Sequence, residues 1–192
     1  MNLTVVRHGE TRENRHHTVM GQRPGHLSKR GKHQVREVAQ ELATEHFDVI
    51  YSSDLKRCID TANEISKKFP NVPVLYSSDL RELSYGIFEG FPYFFKSLGN
   101  RSRMMWRISP PRGENWQQMT DRLAGFLDSI YPAYADKEVL LVTHGGPISI
   151  ISGLLGDSSL RDNAKAITNC SIWRWRMSEP LKLSTARPPN VR

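Results

Sequence analysis

With 192 residues, 38% of them hydrophobic, the chain has the length and composition of one ordinary domain with a sizeable buried core. No apolar run approaches a membrane span, and the two cysteines, Cys58 and Cys170, are too few for a disulfide framework or a cysteine metal cluster. The formal charge of +7 fits small anionic substrates, nucleic acid or acidic membranes and does not choose between them.

Leu3-Thr4-Val5-Val6 is a β-branched run that predicts a buried strand, ending at Arg7-His8-Gly9. These first residues lack the apolar stretch of a secretory leader, so a cytoplasmic location is expected, with both cysteines reduced and buried. A polar loop follows to Ser28. Val35, Val38, Ala39, Leu42 and Ala43 recur at helical spacing and predict a helix over 31–47. Asp48-Val49-Ile50-Tyr51 predicts a second strand, closed by Ser52-Ser53-Asp54. A second helix is expected over 55–69, stopped by Pro70, and a third strand over 72–76.

Residues 86–113 are irregular, rich in aromatics and arginine, and are expected to form a small inserted cap. A helix over 114–131, a strongly apolar strand over 139–142, a helix ending at Leu155 and an alternating edge strand over 172–177 complete the chain. Strands alternating with helices predict an α/β fold, a three-layer α/β/α sandwich on a mostly parallel sheet with an antiparallel edge strand. One domain over 1–183 is expected, with 184–192 as a mobile tail.

In such sheets ligands bind beyond the carboxyl ends of the strands. His8 follows the first strand, Arg57 the second, Glu82 the third and His144 the most apolar one. A lone histidine is more often structural than catalytic, so their shared topological position is what marks the four. Arg57 also lies in the first turn of a helix that Ser53 or Asp54 is expected to cap, where the helix dipole disfavours a cation unless an anion binds there. For Lys56, next to it, a solvated side chain is the simpler reading.

Arg7-His8-Gly9-Glu10-Thr11 with Asn14 resembles the phosphate-loop signature of the histidine phosphatase superfamily, in its phosphoglycerate-mutase-like branch. The resemblance continues through Tyr51-Ser52-Ser53-Asp54-Leu55-Lys56-Arg57 with Thr61-Ala62, Leu80-Arg81-Glu82-Leu83 with Gly86 and Glu89-Gly90, and Val142-Thr143-His144-Gly145-Gly146, in the family's order. It implies that His8 attacks phosphorus to give a phosphohistidine that water hydrolyses. Arg7, Arg57, His144 and Asn14 would surround the phosphoryl oxygens, and Glu82 would serve the leaving group and then water. Gly21 and Gln22 match a position that lines the phosphate pocket, and Gly145 follows the second histidine. The scheme needs no metal and no other cofactor. His16 and His17 lack a third ligand at useful spacing, and His26, His33 and His46 read as solvated residues.

Between Pro92 and Gly113 stand five cations and no acid, interleaved with Tyr93, Phe94, Phe95 and Trp106. That pattern fits a lid over an anionic substrate, with Arg103 and Arg107 as candidate contacts. It also fits a surface helix packing Phe94, Phe95, Met105 and Trp106 inward. Single-stranded nucleic acid is the third and less favoured reading.

The glycolytic mutases resembled are longer here and usually carry a basic residue after the catalytic Glu, where this chain has Leu83. The expectation is therefore a phosphatase for small phosphorylated metabolites such as sugar or nucleoside-like phosphates. A phosphoglycerate-type mutase is the first alternative, and a basic binding protein for nucleic acid or a protein partner the second.

Overall fold

The computed structural model describes residues 1–92, 109–157 and 167–181. Among the described residues, five strands form one sheet: β1 (Asn2–Arg7), β2 (Val49–Ser53), β3 (Val74–Ser77), β4 (Glu138–Thr143) and β5 (Ile172–Arg176). Their order is β3-β2-β4-β1-β5, and only β5 runs antiparallel, against β1. The expected mixed α/β sheet with an antiparallel edge strand is therefore what the chain forms.

The helices are α1 (Arg12–Arg15), α2 (Lys29–Leu42), α3 (Lys56–Ser66), α4 (Trp116–Tyr134) and α5 (Gly145–Leu154). The one-turn α1 has no apolar periodicity and escaped the sequence reading. It forms because Thr11 and Asn14 make a reciprocal capping box. Helix α4 continues past its expected end and takes in Pro132. Its start is set by a second capping box, between Asn115 and Gln118.

Two apolar cores explain the layers. Along β1, Leu3 and Val5 face one core while Val6 faces the other; along β4, Val139 and Leu141 alternate with Leu140 and Val142 in the same way. This period-2 split is the sheet's pleat with both faces buried. The first core holds Met119, Leu123 and Leu127 of α4 and Ile148 and Ile151 of α5. The second holds Val35, Val38 and Leu42 of α2 and Cys58, Ala62 and Ile65 of α3.

Since β1 to β4 are parallel, their carboxyl ends share one edge of the sheet. In the order β2-β4-β1, the loops carrying Arg57, His144 and His8 are immediate neighbours, and Glu82 arrives from the β3 side.

A candidate phosphoryl-transfer site

A cavity of about 60 Å3 opens at this edge, lined by Arg7, His8, Asn14, Thr18, Val19, Met20, Gly21, Arg57, Glu82 and Tyr85. That is several times the ~10–15 Å3 one water needs on the same measure, so it has room for a group of several heavy atoms.

His8 continues β1, its backbone N–H donating to the Thr143 carbonyl at 3.0 Å. Its ring is buried, and Nδ1 lies 2.8 Å from the Gly9 carbonyl. A carbonyl only accepts, so Nδ1 carries the proton and Nε2 keeps its lone pair. Burial, followed by the charges of Arg57 and Arg7, holds the pKa of His8 well below its ordinary value, while the Gly9 bond opposes the shift. The ring is neutral at neutral pH, as a nucleophile must be.

His144 meets it edge to face, ring centroids 5.1 Å apart. Arg57 Nε donates to His144 Nδ1 at 3.1 Å, so His144 Nε2 is the protonated nitrogen and donates to Ser53 Oγ at 2.9 Å. Burial, then Arg57, His8 and Arg7, depresses this pKa as well. His144 is thus held neutral and orients Arg57.

Arg57 is 1% exposed. Besides His144, its two terminal nitrogens donate to the Arg23 and Gly21 carbonyls, each at 2.8 Å. All three acceptors are uncharged. Burial, the largest influence, lowers the pKa of the guanidinium, and a buried cation whose hydrogen bonds all go to neutral acceptors can receive an anion. Arg7 donates to the Ile167 carbonyl at 2.6 Å and completes the cationic side. The expected side-chain cap by Ser53 or Asp54 is not made. Leu55 occupies the cap position of α3, Ser53 Oγ takes the Leu55 N–H and the His144 proton, and Asp54 is bound by Arg81. Lys56 is exposed and pairs with Asp60 one turn on.

Glu82 follows β3 in a segment without regular structure. Oε1 accepts from Leu83 N at 2.9 Å and Oε2 from Gly146 N at 3.3 Å, at the start of α5. Asn14 presents a committed oxygen: Oδ1 accepts from Thr11 N at 3.1 Å and from Asn169 at 3.4 Å, leaving its amide NH2 as the donating end.

A family model described as the histidine phosphatase superfamily (branch 1) matches residues 3–180. The chain belongs to that superfamily. It is 31% identical over 169 residues to the uncharacterised phosphatase PhoE of Bacillus subtilis, covering 88% of this chain and 84% of that protein. It is 32% identical over 164 residues to phosphoserine phosphatase 1 of Hydrogenobacter thermophilus, covering 80% and 76%. Among solved structures, a mycobacterial glucosyl-3-phosphoglycerate phosphatase in complex with VO3 superposes with a TM-score of 0.74 at 27% identity, covering 90% of this chain and 91% of that one. This histidine phosphatase superfamily member is a phosphatase.

Not every residue assigned from the superfamily's pattern reaches the cavity. Gln22 is turned away: its Nε2 donates to the Glu82 carbonyl at 3.2 Å and to Glu114 at 3.4 Å, and its Oε1 accepts from Arg81 at 3.4 Å. A backbone carbonyl and a carboxylate hold its amide, so the sequence assignment of Gln22 to phosphate does not match this placement. Gly145 stands beside Arg7, whose guanidinium would lie 3.8 Å from a Cβ there. Arg103 and Arg107 lie outside the described residues. Of the minor readings, Cys58 is buried beside His144 with its thiol pushed up to about 12, while Cys170 is only partly buried. His16, His17, His26, His33 and His46 are exposed, and no metal-binding group of three or more His, Cys, Asp or Glu occurs among the described residues. Nor is any described helix long and apolar enough to cross a membrane.

Sequence reasoning missed Asn169, which donates to the His8 carbonyl at 3.0 Å, and Thr61, whose hydroxyl accepts from Gly9 N at 3.2 Å. Thr18, Val19, Met20 and Tyr85 were missed as well. None stands at a strand end, and only Thr61, inside the resembling segment, carried a signal.

Proposed function

We propose that this phosphatase hydrolyses small phosphomonoesters through a phosphohistidine on His8. The observation that carries the reading is the facing pair: a neutral His8 with a free Nε2, and a fully buried Arg57 bound only to uncharged acceptors. The phosphoryl group enters the cavity and places its oxygens against Arg57, Arg7 and the Asn14 amide. His8 Nε2 attacks phosphorus; the N–P bond forms as the bond to the leaving oxygen breaks, and Glu82 delivers a proton to that oxygen. Water then attacks the phosphohistidine, Glu82 takes its proton, and phosphate leaves. Positioning and charge complementarity supply most of the acceleration in such transfers.

The cavity has room for the phosphoryl group, and Arg103 and Arg107 remain the candidate contacts for the rest of the substrate. The relatives' names, phosphoserine phosphatase and glucosyl-3-phosphoglycerate phosphatase, support a small phosphorylated metabolite as the substrate class. The position after Glu82, where a glycolytic mutase is expected to carry a basic residue, holds the fully buried Leu83.

The test is phosphate release from phosphoserine, 3-phosphoglycerate, sugar phosphates and nucleotides, with and without EDTA. Release is expected to persist in EDTA and to fall by at least about 10³-fold in His8→Ala, with an acid-labile phosphoprotein trapped in the wild type only. Undiminished release by His8→Ala would overturn the reading. Conversion of 3- to 2-phosphoglycerate faster than phosphate release would replace it with a mutase.

A further inference from the structure

Residues 81–85, which carry Glu82, belong to no helix or strand, so their backbone groups need partners from elsewhere. Side chains provide them almost one by one. The Leu80 carbonyl accepts from Thr143 Oγ1 at 2.7 Å, the Arg81 carbonyl from Arg122 at 3.2 Å and the Glu82 carbonyl from Gln22 at 3.2 Å. The Ser84 N–H donates to Glu114 Oε1 at 3.1 Å and the Tyr85 N–H to Glu89 Oε1 at 3.0 Å.

Glu114 is the hub of this scaffold. Its Oε1 also takes Arg122 at 2.7 Å and Gln22 at 3.4 Å, its Oε2 takes Arg122 Nε at 3.4 Å, and its backbone N–H donates to the Ser84 carbonyl at 3.0 Å. Glu114 and its partner Arg122 are both largely buried, with side-chain exposures of 17% and 18%. Glu114 lies outside the cavity lining and so does not meet the phosphoryl group.

We propose that Glu114, acting with Gln22, is the positioning residue for the general acid: it fixes the Ser84 amide on one side of Glu82, while Gln22 fixes the Glu82 carbonyl itself. This rests on the reading of Glu82 as the proton donor to the leaving group. Gln22 thereby acquires a role without touching phosphate. Its amide bridges Glu114 and Glu82, and its backbone N–H donates to Glu89 Oε1 at 3.0 Å, so the wall of the cavity and the Glu82 segment share one support.

A misplaced general acid has a kinetic signature that loose folding lacks. Hydrolysis of p-nitrophenyl phosphate releases a stable phenolate that needs no protonation, whereas phosphoserine releases an alkoxide that does. The ratio of kcat/KM values for the two substrates reports phosphoryl transfer to His8 and leaves out the shared hydrolysis of the phosphohistidine; measured on one sample, it does not depend on how much of the protein is folded. Glu82→Gln is the reference and is expected to lower the phosphoserine-to-p-nitrophenyl phosphate ratio by about 10²-fold or more. Glu114→Ala and Gln22→Ala are expected to lower it by about tenfold, with Glu114→Gln, which keeps an acceptor oxygen for Ser84, recovering part of the loss.

Equal losses on both substrates in Glu114→Ala and Gln22→Ala, with Glu82→Gln still discriminating, would overturn the positioning role and leave the mechanism standing. An unchanged ratio in Glu82→Gln would overturn the general-acid reading, and this proposal with it. Should Glu114→Ala fail to fold, Gln22→Ala decides the matter alone, because it removes the bond to the Glu82 carbonyl while leaving the Glu114–Arg122 pair in place.

Discussion

Two buried histidines pack against each other beside two arginines, His8 in the cavity wall and His144 behind it on Arg57, and at the residue scale this is the feature with the widest consequences. Both His8 and His144 have pKa values pushed well below the ordinary 6.5, first by burial and then by the neighbouring guanidinium charges. Below pH 6.5 the unfolded chain therefore binds protons that the native state refuses, so stability is complete above that pH and falls on acidification until the folded pKa values are reached. The slope is up to about 1.4 kcal/mol per pH unit for each histidine, and urea titrations between pH 7.5 and 5 should show it. In His8→Gln the slope should drop by one proton's worth; an unchanged slope would mean that other groups dominate. Each ring's protonation state was beyond sequence reading, because it depends on which atoms the chain brings to Nδ1: a carbonyl for His8, an Arg57 N–H for His144.

At the scale of elements, the site is held by helices whose glycines allow close approach. Gly31, in the first turn of α2, lies so near the loop after β1 that a Cβ there would stand 1.9 Å from the Glu10 carbonyl oxygen. Backbone cannot yield as a side chain does, so Gly31→Ala is expected to cost about 1–3 kcal/mol despite its better helix propensity, and to lower the thermal midpoint. Gly146 opens α5 against Glu82, and a Cβ would come within 2.2 Å of Glu82 Oε1. Here the obstacle is the tip of a flexible side chain. Gly146→Ala should leave stability within about 0.5 kcal/mol of wild type but lower kcat about tenfold or more, by moving the carboxylate. Circular dichroism melts alongside steady-state kinetics separate the two outcomes.

For the whole molecule, charge is distributed unevenly. Residues 12–36 carry seven Lys and Arg against a single acid, Glu13, and all seven are exposed. This segment includes α1 and the wall residues Asn14 and Thr18 to Gly21, so it rims the cavity. Anionic substrates should be drawn to it, and kcat/KM is expected to fall about 3–10-fold between 10 and 200 mM salt. Lys29→Glu with Arg30→Glu, both outside the cavity lining, should flatten that dependence; no salt dependence in the wild type would show that steering is absent.

Residue pattern by itself determined the strands and main helices, because the short unbroken apolar runs along β1, β2 and β4 mark strands buried on both faces and the helical spacing of Val35, Val38 and Leu42 marks one buried helix face. It also marked His8, Arg57, Glu82 and His144, since each follows a strand and four parallel strands must end at one edge. The position of Gln22 behind Glu82, the contribution of Asn169 and the hub made by Glu114 were decided only by tertiary structure. Their hydrogen bonds join residues 60 to 161 positions apart, or bind a loop with no period of its own, and no local pattern records which distant amide will meet which carbonyl.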